Sequence, residues 1–456
     1  MQFESHNPYT ETVLSSYPFE DSKSIIQKLE RAQDAFYTWK KSSFEARATL
    51  FLRLKDLLEQ HAERLGKLAA EEMGKLATHA SAEVLKSASL CSYYAASAQQ
   101  SLAPSIEKAD DQIEVQISFE PLGVILGIFP WNFPYWQILR SALPTVMSGN
   151  VMLVKPAPNV PRCSLALQEL IEEAGFPKGV IQTVFASNEQ VGELLKNTNI
   201  KAVSLTGSER AGSMVAAMAA SQIKPSVLEL GGSDPLIILD DAPLEEIIDQ
   251  VVFSRFQNNG QSCVAAKRFL VQTELKEKFE KILIEKVSAL KLGNPLEKGI
   301  DIGPLARKDL KELLAMQVEK SIAAGASILF QQNQIPAKGW FFPPTVLINV
   351  PKESVAYEEE LFGPVVSVFY FKNDEEAISI ANDTRFGLGA SIYGKNLKRA
   401  EAMAAEIESG MVYINTIVKS DVRYPFGGIK ASGYGRELGP QGLKAFTQTK
   451  TIWIKQ

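Results

Sequence analysis

PLGVILGIFPWNFPYWQILRSALPTVMSGNVMLVKPAP, residues 121–158, decides the architecture. After the Pro121-Leu122-Gly123 turn, Val124–Ile128 is an apolar run too short for a helix and reads as a buried strand. Tyr135–Ser148 reads as a helix closed by Gly149-Asn150, and Val151–Val154 as a second short strand. The alternation continues downstream: helix Pro161–Ala174 ended by Gly175, strand Val180–Phe185, helix Glu189–Lys196, strand Ala202–Leu205, helix Ala211–Ala220 and strand Val227–Leu230. Strands alternating with helices through short turns build a parallel sheet covered on both faces.

A second α/β unit opens near Gly231, with strand Leu236–Leu239, helix Pro243–Gln257, strand Arg268–Gln272 and helix Lys276–Leu292. Further strands and helices follow to Gly410. Upstream, residues 23–102 read as helical. Gln112–Glu120 (QIEVQISFE) and the tail Thr447–Ile454 (TQTKTIWI) alternate apolar with polar, the mark of half-exposed strands, and the two are candidates to pair. At 456 residues the chain exceeds what one core holds, so two large lobes are expected.

The composition excludes several classes of function. A net charge of −5 without a clustered Lys/Arg stripe excludes a nucleic-acid partner. The most apolar stretch, Pro121–Trp136, is broken by Pro130, Asn132 and Pro134, so no membrane span is expected. Three cysteines make no disulfide framework, and the N-terminus lacks the pattern of a signal peptide, so a cytoplasmic location is expected. The three histidines, His6, His61 and His79, sit near the N-terminus, away from every motif. That argues against a Ser-His-Asp hydrolase and a His-ligated metal, leaving a carboxylate as general base.

Five places carry candidate chemistry. Cys263, in QNNGQSC (257–263), sits at a turn where backbone N–H groups lower a thiol pKa and hold an oxyanion. Glu229 ends an apolar strand, where sites form in open α/β sheets; a carboxylate between two leucines has a raised pKa and suits a general base. Asn132, held between Pro130 and Pro134, is a rigid amide donor. Gly207-Ser208 joins a strand to a helix and points N–H groups at an anion. Lys155, with Pro156-Ala157-Pro158, ends a strand within reach of a ribose or phosphate. Taken singly, each has an ordinary structural reading: a buried cysteine, a surface glutamate, a turn asparagine, a plain β-α turn, a solvated lysine.

In order along the chain stand Pro130–Pro134, Lys155-Pro156-Ala157, Thr206-Gly207-Ser208, Leu228–Gly232 (LELGG), Gly260–Cys263, Glu360–Pro364 (ELFGP) and Pro425–Gly428 (PFGG). This order and spacing resembles the aldehyde dehydrogenase superfamily from Asn7-Pro8 to the C-terminal strand, most closely the bacterial succinate semialdehyde dehydrogenases. The resemblance implies two parallel-sheet Rossmann-type domains plus a small oligomerisation strand region. The cofactor-binding domain would be 1–110 and 122–229, and the catalytic domain 230–418. The oligomerisation strands would be 111–121 and 445–456, with 419–444 bordering the substrate site. It implies that Cys263 is the nucleophile, Glu229 the base, and Asn132 with the Cys263 N–H the oxyanion hole. NAD or NADP would lie against Trp131, Lys155, Ala157, Pro158, Gly207, Ser208, Glu209, Leu230, Glu360 and Phe362.

Two positions depart from the family pattern. Where NAD-preferring relatives carry Glu three residues after the lysine, this chain has Pro158, so NADP should be tolerated alongside NAD; Arg210 favours a phosphate and Glu209 opposes it. Where many succinate semialdehyde dehydrogenases carry Arg six residues before the nucleophile, it has Gln257. Arg140, with Ser420 or Arg423, is then the expected clamp for a substrate carboxylate. No metal is expected. The strands imply a homodimer or homotetramer. Rival readings are another semialdehyde or aliphatic aldehyde, a non-catalytic cofactor-binding protein, and CoA- or phosphate-dependent acyl transfer.

Overall fold

The computed structural model describes residues 2–110 and 112–455. Two sheets dominate it. The first has six strands in the order Gly433–Tyr434, Ser226–Glu229, Ile200–Thr206, Val124–Ile128, Val151–Lys155, Ile181–Thr183, all parallel except the first. Val124–Ile128 lies between the strand that follows it, Val151–Lys155, and the strand three crossovers later, Ile200–Thr206. The chain therefore switches direction across the sheet at the carboxyl ends of these strands, where Phe129–Pro134, Lys155 and Thr206–Ser208 emerge. This is where open α/β sheets leave a binding crevice. The helix Trp136–Met147 that follows is buried along its whole length, as an apolar helix must be.

The second sheet has seven strands: Ser327–Gln331, Thr345–Ile348, Val365–Phe371, Ala266–Gln272, Asp234–Ile238, Gly389–Tyr393 and Met411–Ile414. Only the edge strand Ser327–Gln331 is antiparallel. The class read from the sequence, two parallel α/β units, is the class observed.

The helical N-terminal part forms four helices, Ser22–Trp39, Phe44–Gln60, Ala62–Met73 and Ala77–Ser101. Asp21 and Ser43 cap the first two by accepting the N–H groups of Ser24 (2.7 Å) and Ala46 (3.2 Å). Gly74, at φ 75°, ends the third in the left-handed conformation that favours glycine. Their apolar faces (Leu29, Phe51, Leu65, Val84) share one core with the six-stranded sheet.

Thr447–Lys455 and Ile113–Pro121 pair antiparallel, Thr447 opposite Pro121 and Lys455 opposite Ile113, as their alternation suggested. A third strand, Ser105–Asp110, joins them on the far side. It was not evident in the sequence, and neither was the N-terminal hairpin Phe3–Asn7/Thr12–Tyr17. The segment 419–444, expected to border the substrate site, does more. It supplies the edge strand Gly433–Tyr434 and puts Leu438 and Leu443 into the first core.

Candidate active site

The nucleophile candidate hangs on an unusual turn. After helix Leu244–Phe256, Asn258 and Asn259 both adopt left-handed backbone (φ 51° and 58°), which asparagine tolerates better than other non-glycine residues. Their side chains hold the turn. Asn258 Nδ2 donates to the carbonyls of Asn132 (3.0 Å) and Gln261 (2.9 Å). Asn259 Nδ2 donates to Gly74 (2.8 Å) and Pro304 (3.0 Å), and its Oδ1 accepts from Gly303 (2.7 Å). Gly260, also at positive φ, packs so closely that a Cβ would collide with the Gly363 carbonyl. The turn thus docks onto the Glu360–Pro364 loop.

Cys263 is partly exposed, whereas Cys91 and Cys163 are fully buried. Burial pushes its thiol up to about 11, although Lys267 and Arg140 pull the other way. The free protein therefore holds Cys263 as a thiol and needs a base to ionise it. Lys267 was not singled out in the sequence. Its ammonium donates to the carbonyls of Ser262 (2.8 Å) and Cys263 (2.5 Å) and pairs with Glu360 at 3.0 Å. One buried cation therefore couples the nucleophile turn to the expected ribose-binding carboxylate.

Asn132 is buried, and its Nδ2 donates to Gln261 O at 3.1 Å. An amide nitrogen carries two hydrogens, so one N–H remains for an oxyanion. Glu229 ends its strand fully buried, with both oxygens lacking a hydrogen-bond partner. Burial first, and the Glu437 charge second, hold its carboxyl well above the usual range, against the pull of Arg140 and Arg436. It lies beside Gly427, where a Cβ would stand 2.6 Å from Glu229 Oε1. It does not line the Cys263 cavity.

That cavity, of about 320 Å³, brings together Cys263, Gln257, Arg140 and Ser420 of the expected residues. It also holds His79, Glu83 and Lys86, because helix Ala77–Ser101 packs across it, and Lys75 from the turn that precedes that helix. His79 was expected far from the site. The sequence distance misled, since the helix returns to the second lobe; burial pushes its imidazole below the ordinary value. Arg140 is buried and ion-paired with buried Glu437, with its guanidinium 4.5 Å from the Phe426 ring centroid. Arg423, expected as a substrate contact, does not line the cavity: its side chain is 62% exposed and paired with Asp421.

The cofactor candidates divide between two places. Ser208 caps helix Glu209–Ser221 by accepting Ala211 N–H at 3.3 Å, and Gly207 N–H is spent on Glu229 O at 3.0 Å. Ser208, Glu209, Arg210, Gly231 and Glu360 border a second cavity of about 530 Å³. Glu360 also accepts Gly232 N–H at 3.2 Å. Gly212 lets Leu230 press against this helix, since a Cβ there would lie 2.5 Å from Leu230 Cδ2. Trp131 meets Phe362 edge to face at 5.9 Å. At the neighbouring strand end, Ala157 is buried and Pro158 exposed, its carbonyl accepting Glu4 N–H at 3.0 Å. Lys155 is buried without an ion pair among the described residues, and burial holds its ammonium down to about 8. A buried cation with no acceptor among the described residues fits a ligand of phosphates and ribose hydroxyls.

The chain belongs to the aldehyde dehydrogenase family, whose model matches residues 1–452. In particular, it is 44% identical over 448 residues to a probable succinate-semialdehyde dehydrogenase [NADP(+)] of Synechocystis sp., covering 98% of both chains. It is 41% identical over 449 residues to the succinate semialdehyde dehydrogenase [NAD(P)+] of Escherichia coli, covering 98% of this chain and 97% of that one. The solved succinic semialdehyde dehydrogenase from Streptococcus pyogenes, in complex with NADP+, superposes with a TM-score of 0.97 at 35% identity over 100% of each chain. No helix among the described residues is long and apolar enough to cross a membrane.

Proposed function

We propose that this protein oxidises succinate semialdehyde to succinate with NADP or NAD. The observation that carries the reading is one cavity holding the partly exposed Cys263 together with Lys75, Lys86, Arg140 and Lys419, against the single lining carboxylate Glu83. Such a cavity suits an aldehyde whose far end is an anion. The names of the relatives point the same way.

Cys263 Sγ, once deprotonated, adds to the aldehyde carbon. The oxyanion that forms takes hydrogen bonds from the free Asn132 amide N–H and the Cys263 backbone N–H. Lys155, Ser208 with Gly207 and Glu209, Glu360, Phe362, Trp131, Leu230, Ala157 and Pro158 would hold the nicotinamide dinucleotide, which when bound supplies the hydride acceptor. Glu229 then takes a proton from water as that water attacks the thioester on Cys263, releasing the acid and the thiolate. From its place beside Gly427 it must swing into the cavity to do so, and leaving the burial that holds its carboxyl protonated lets it ionise and accept the proton.

NADP use is supported by two features. Position 158 offers no carboxylate, and Glu209 is offset by Arg385 at 3.1 Å while Arg210 forms no ion pair among the described residues. A homodimer or homotetramer is supported by the edge strand Thr447–Lys455, whose Trp453 is 65% exposed. A monomer mass by light scattering would count against it. Three free cysteines suit a reducing, cytoplasmic location.

The assay follows reduced-cofactor absorbance with succinate semialdehyde and butanal, each with NAD and NADP. The expected result is a kcat/KM at least tenfold higher for the semialdehyde, with NADP used at least as well as NAD and no requirement for CoA or phosphate. Equal use of butanal would overturn the substrate. No turnover with any pair would overturn the activity.

A further inference from the structure

Behind the nucleophile turn lies a buried cation with no donor left over. Lys267 stands on strand Ala266–Gln272, is buried, and does not line the Cys263 cavity. An ammonium has three N–H donors. Here they meet Ser262 O (2.8 Å), Cys263 O (2.5 Å) and Glu360 Oε1 (3.0 Å). None remains for a substrate. Whatever Lys267 does for the reaction, it does through the backbone.

The geometry of the peptide group says what that is. In a trans peptide the C=O and N–H point in opposite directions. The Ser262 carbonyl shares its peptide with the Cys263 N–H, and the Cys263 carbonyl shares its own with the Val264 N–H. Both carbonyls turn to Lys267, on the far side of the turn, whereas Ser262, Cys263 and Val264 line the cavity. Both N–H groups therefore face the cavity, and neither donates to another group among the described residues. Two neighbouring carbonyls turned to one side repel each other, and a cation between them removes that repulsion. Among the described residues the Cys263 carbonyl has no other donor, and the Ser262 carbonyl has only the Ala265 N–H at 3.2 Å. Gly232 makes room for the arrangement, since a Cβ there would stand 2.9 Å from Cys263 O.

We propose that Lys267 is the positioning residue of the oxyanion hole: it holds the Ser262 and Cys263 carbonyls back and so aims the N–H groups of Cys263 and Val264 at the reacting oxygen. The proposal rests on the thioester reading above, and it adds the Val264 N–H to the two donors named there. Hydrogen bonds in a chain polarise one another, so a carbonyl that accepts from an ammonium leaves the N–H of its own peptide a stronger donor. Glu360, which also accepts the Gly232 N–H at 3.2 Å, anchors the ammonium from its third side. Lys267 has a second effect, which the test must separate from the first. Burial raises the Cys263 thiol, and the Lys267 charge is the first of the groups that pull it back.

The test compares two reactions of the free protein that both consume the Cys263 thiolate. With iodoacetamide the thiolate displaces iodide from carbon, and no oxyanion forms. With p-nitrophenyl acetate it adds to the carbonyl carbon and the π pair moves to oxygen. The tetrahedral oxyanion then collapses, expelling nitrophenolate and leaving an acetyl thioester. Neither reaction uses the cofactor, so changes at Glu360 do not enter through it. The rates taken are those abolished by Cys263→Ala. In K267M nitrophenolate release falls about tenfold or more beyond any fall in alkylation, against the roughly hundredfold or more that a whole oxyanion donor supplies. A fall shared equally by the two reactions, or no fall in either, overturns the positioning role alone. A wild type that releases no nitrophenolate through Cys263 and oxidises no aldehyde overturns the thioester reading and this role together. Should K267M not fold, K267Q, whose shorter neutral side chain cannot hold both carbonyls and Glu360 at once, is read by the same comparison.

Discussion

Alkylation of Cys263 by iodoacetamide in the free protein tests the electrostatics of the nucleophile directly. Its thiol is pushed up to about 11, by burial above all. At pH 8 such a group is about one part in a thousand thiolate, against about a quarter for an ordinary thiol near 8.5. That is a deficit of roughly 240-fold. A more basic thiolate is a better nucleophile by about 0.4–0.5 log units per pKa unit, which returns about tenfold. Cys263 should therefore react about twentyfold more slowly at pH 8 than cysteine in an unstructured peptide. Its rate should climb about tenfold per pH unit to pH 10 without a plateau. Mass spectrometry of the Cys263 peptide reads the rate. The fully buried Cys91 and Cys163 serve as internal controls that stay unmodified while the fold holds. A midpoint at or below pH 8.5 would refute the reasoning. It would mean that Lys267, Arg140 and the backbone donors around the turn outweigh burial before any cofactor or substrate arrives.

Two further perturbations separate structural from functional roles. Arg255, fully buried, donates to the carbonyls of Val365 (2.6 Å), Leu361 (2.8 Å), Gly260 (3.3 Å) and Gly363, joining the nucleophile turn to the Glu360–Pro364 loop. Arg255→Met strands those acceptors at about 1–3 kcal/mol each. Chemical denaturation should show a loss above about 3 kcal/mol that Arg255→Lys, lacking the fork, does not restore; a loss below about 1 kcal/mol would deny the tie. Pro158→Glu places a carboxylate where the adenosine ribose is proposed to lie. It should lower the ratio of kcat/KM for NADP over NAD at least tenfold, about 1.4 kcal/mol, and an unchanged ratio would place the 2′-phosphate elsewhere.

Local pattern alone made much of this protein legible. Apolar runs of four to seven residues separated by helical periods announce parallel strands, because burial on both faces removes the alternation of a half-exposed strand. The motifs around Asn132, Lys155, Ser208 and Glu229 fall at the carboxyl ends of strands of one parallel sheet, so their place along that edge follows from topology. The short pieces escaped: the hairpin Phe3–Asn7/Thr12–Tyr17 and the strands Ser105–Asp110 and Gly433–Tyr434 are too brief or too polar to carry a period. Only the tertiary structure decided how the charges pair. Arg140 reads as a free clamp until Glu437, from the far end of the chain, is found against it. Lys86 and His79 read as an ordinary helix face until that helix crosses the Cys263 cavity. Periodicity is written in neighbouring residues, but the energy of a buried charge depends on which distant group folds against it, and no local pattern records that.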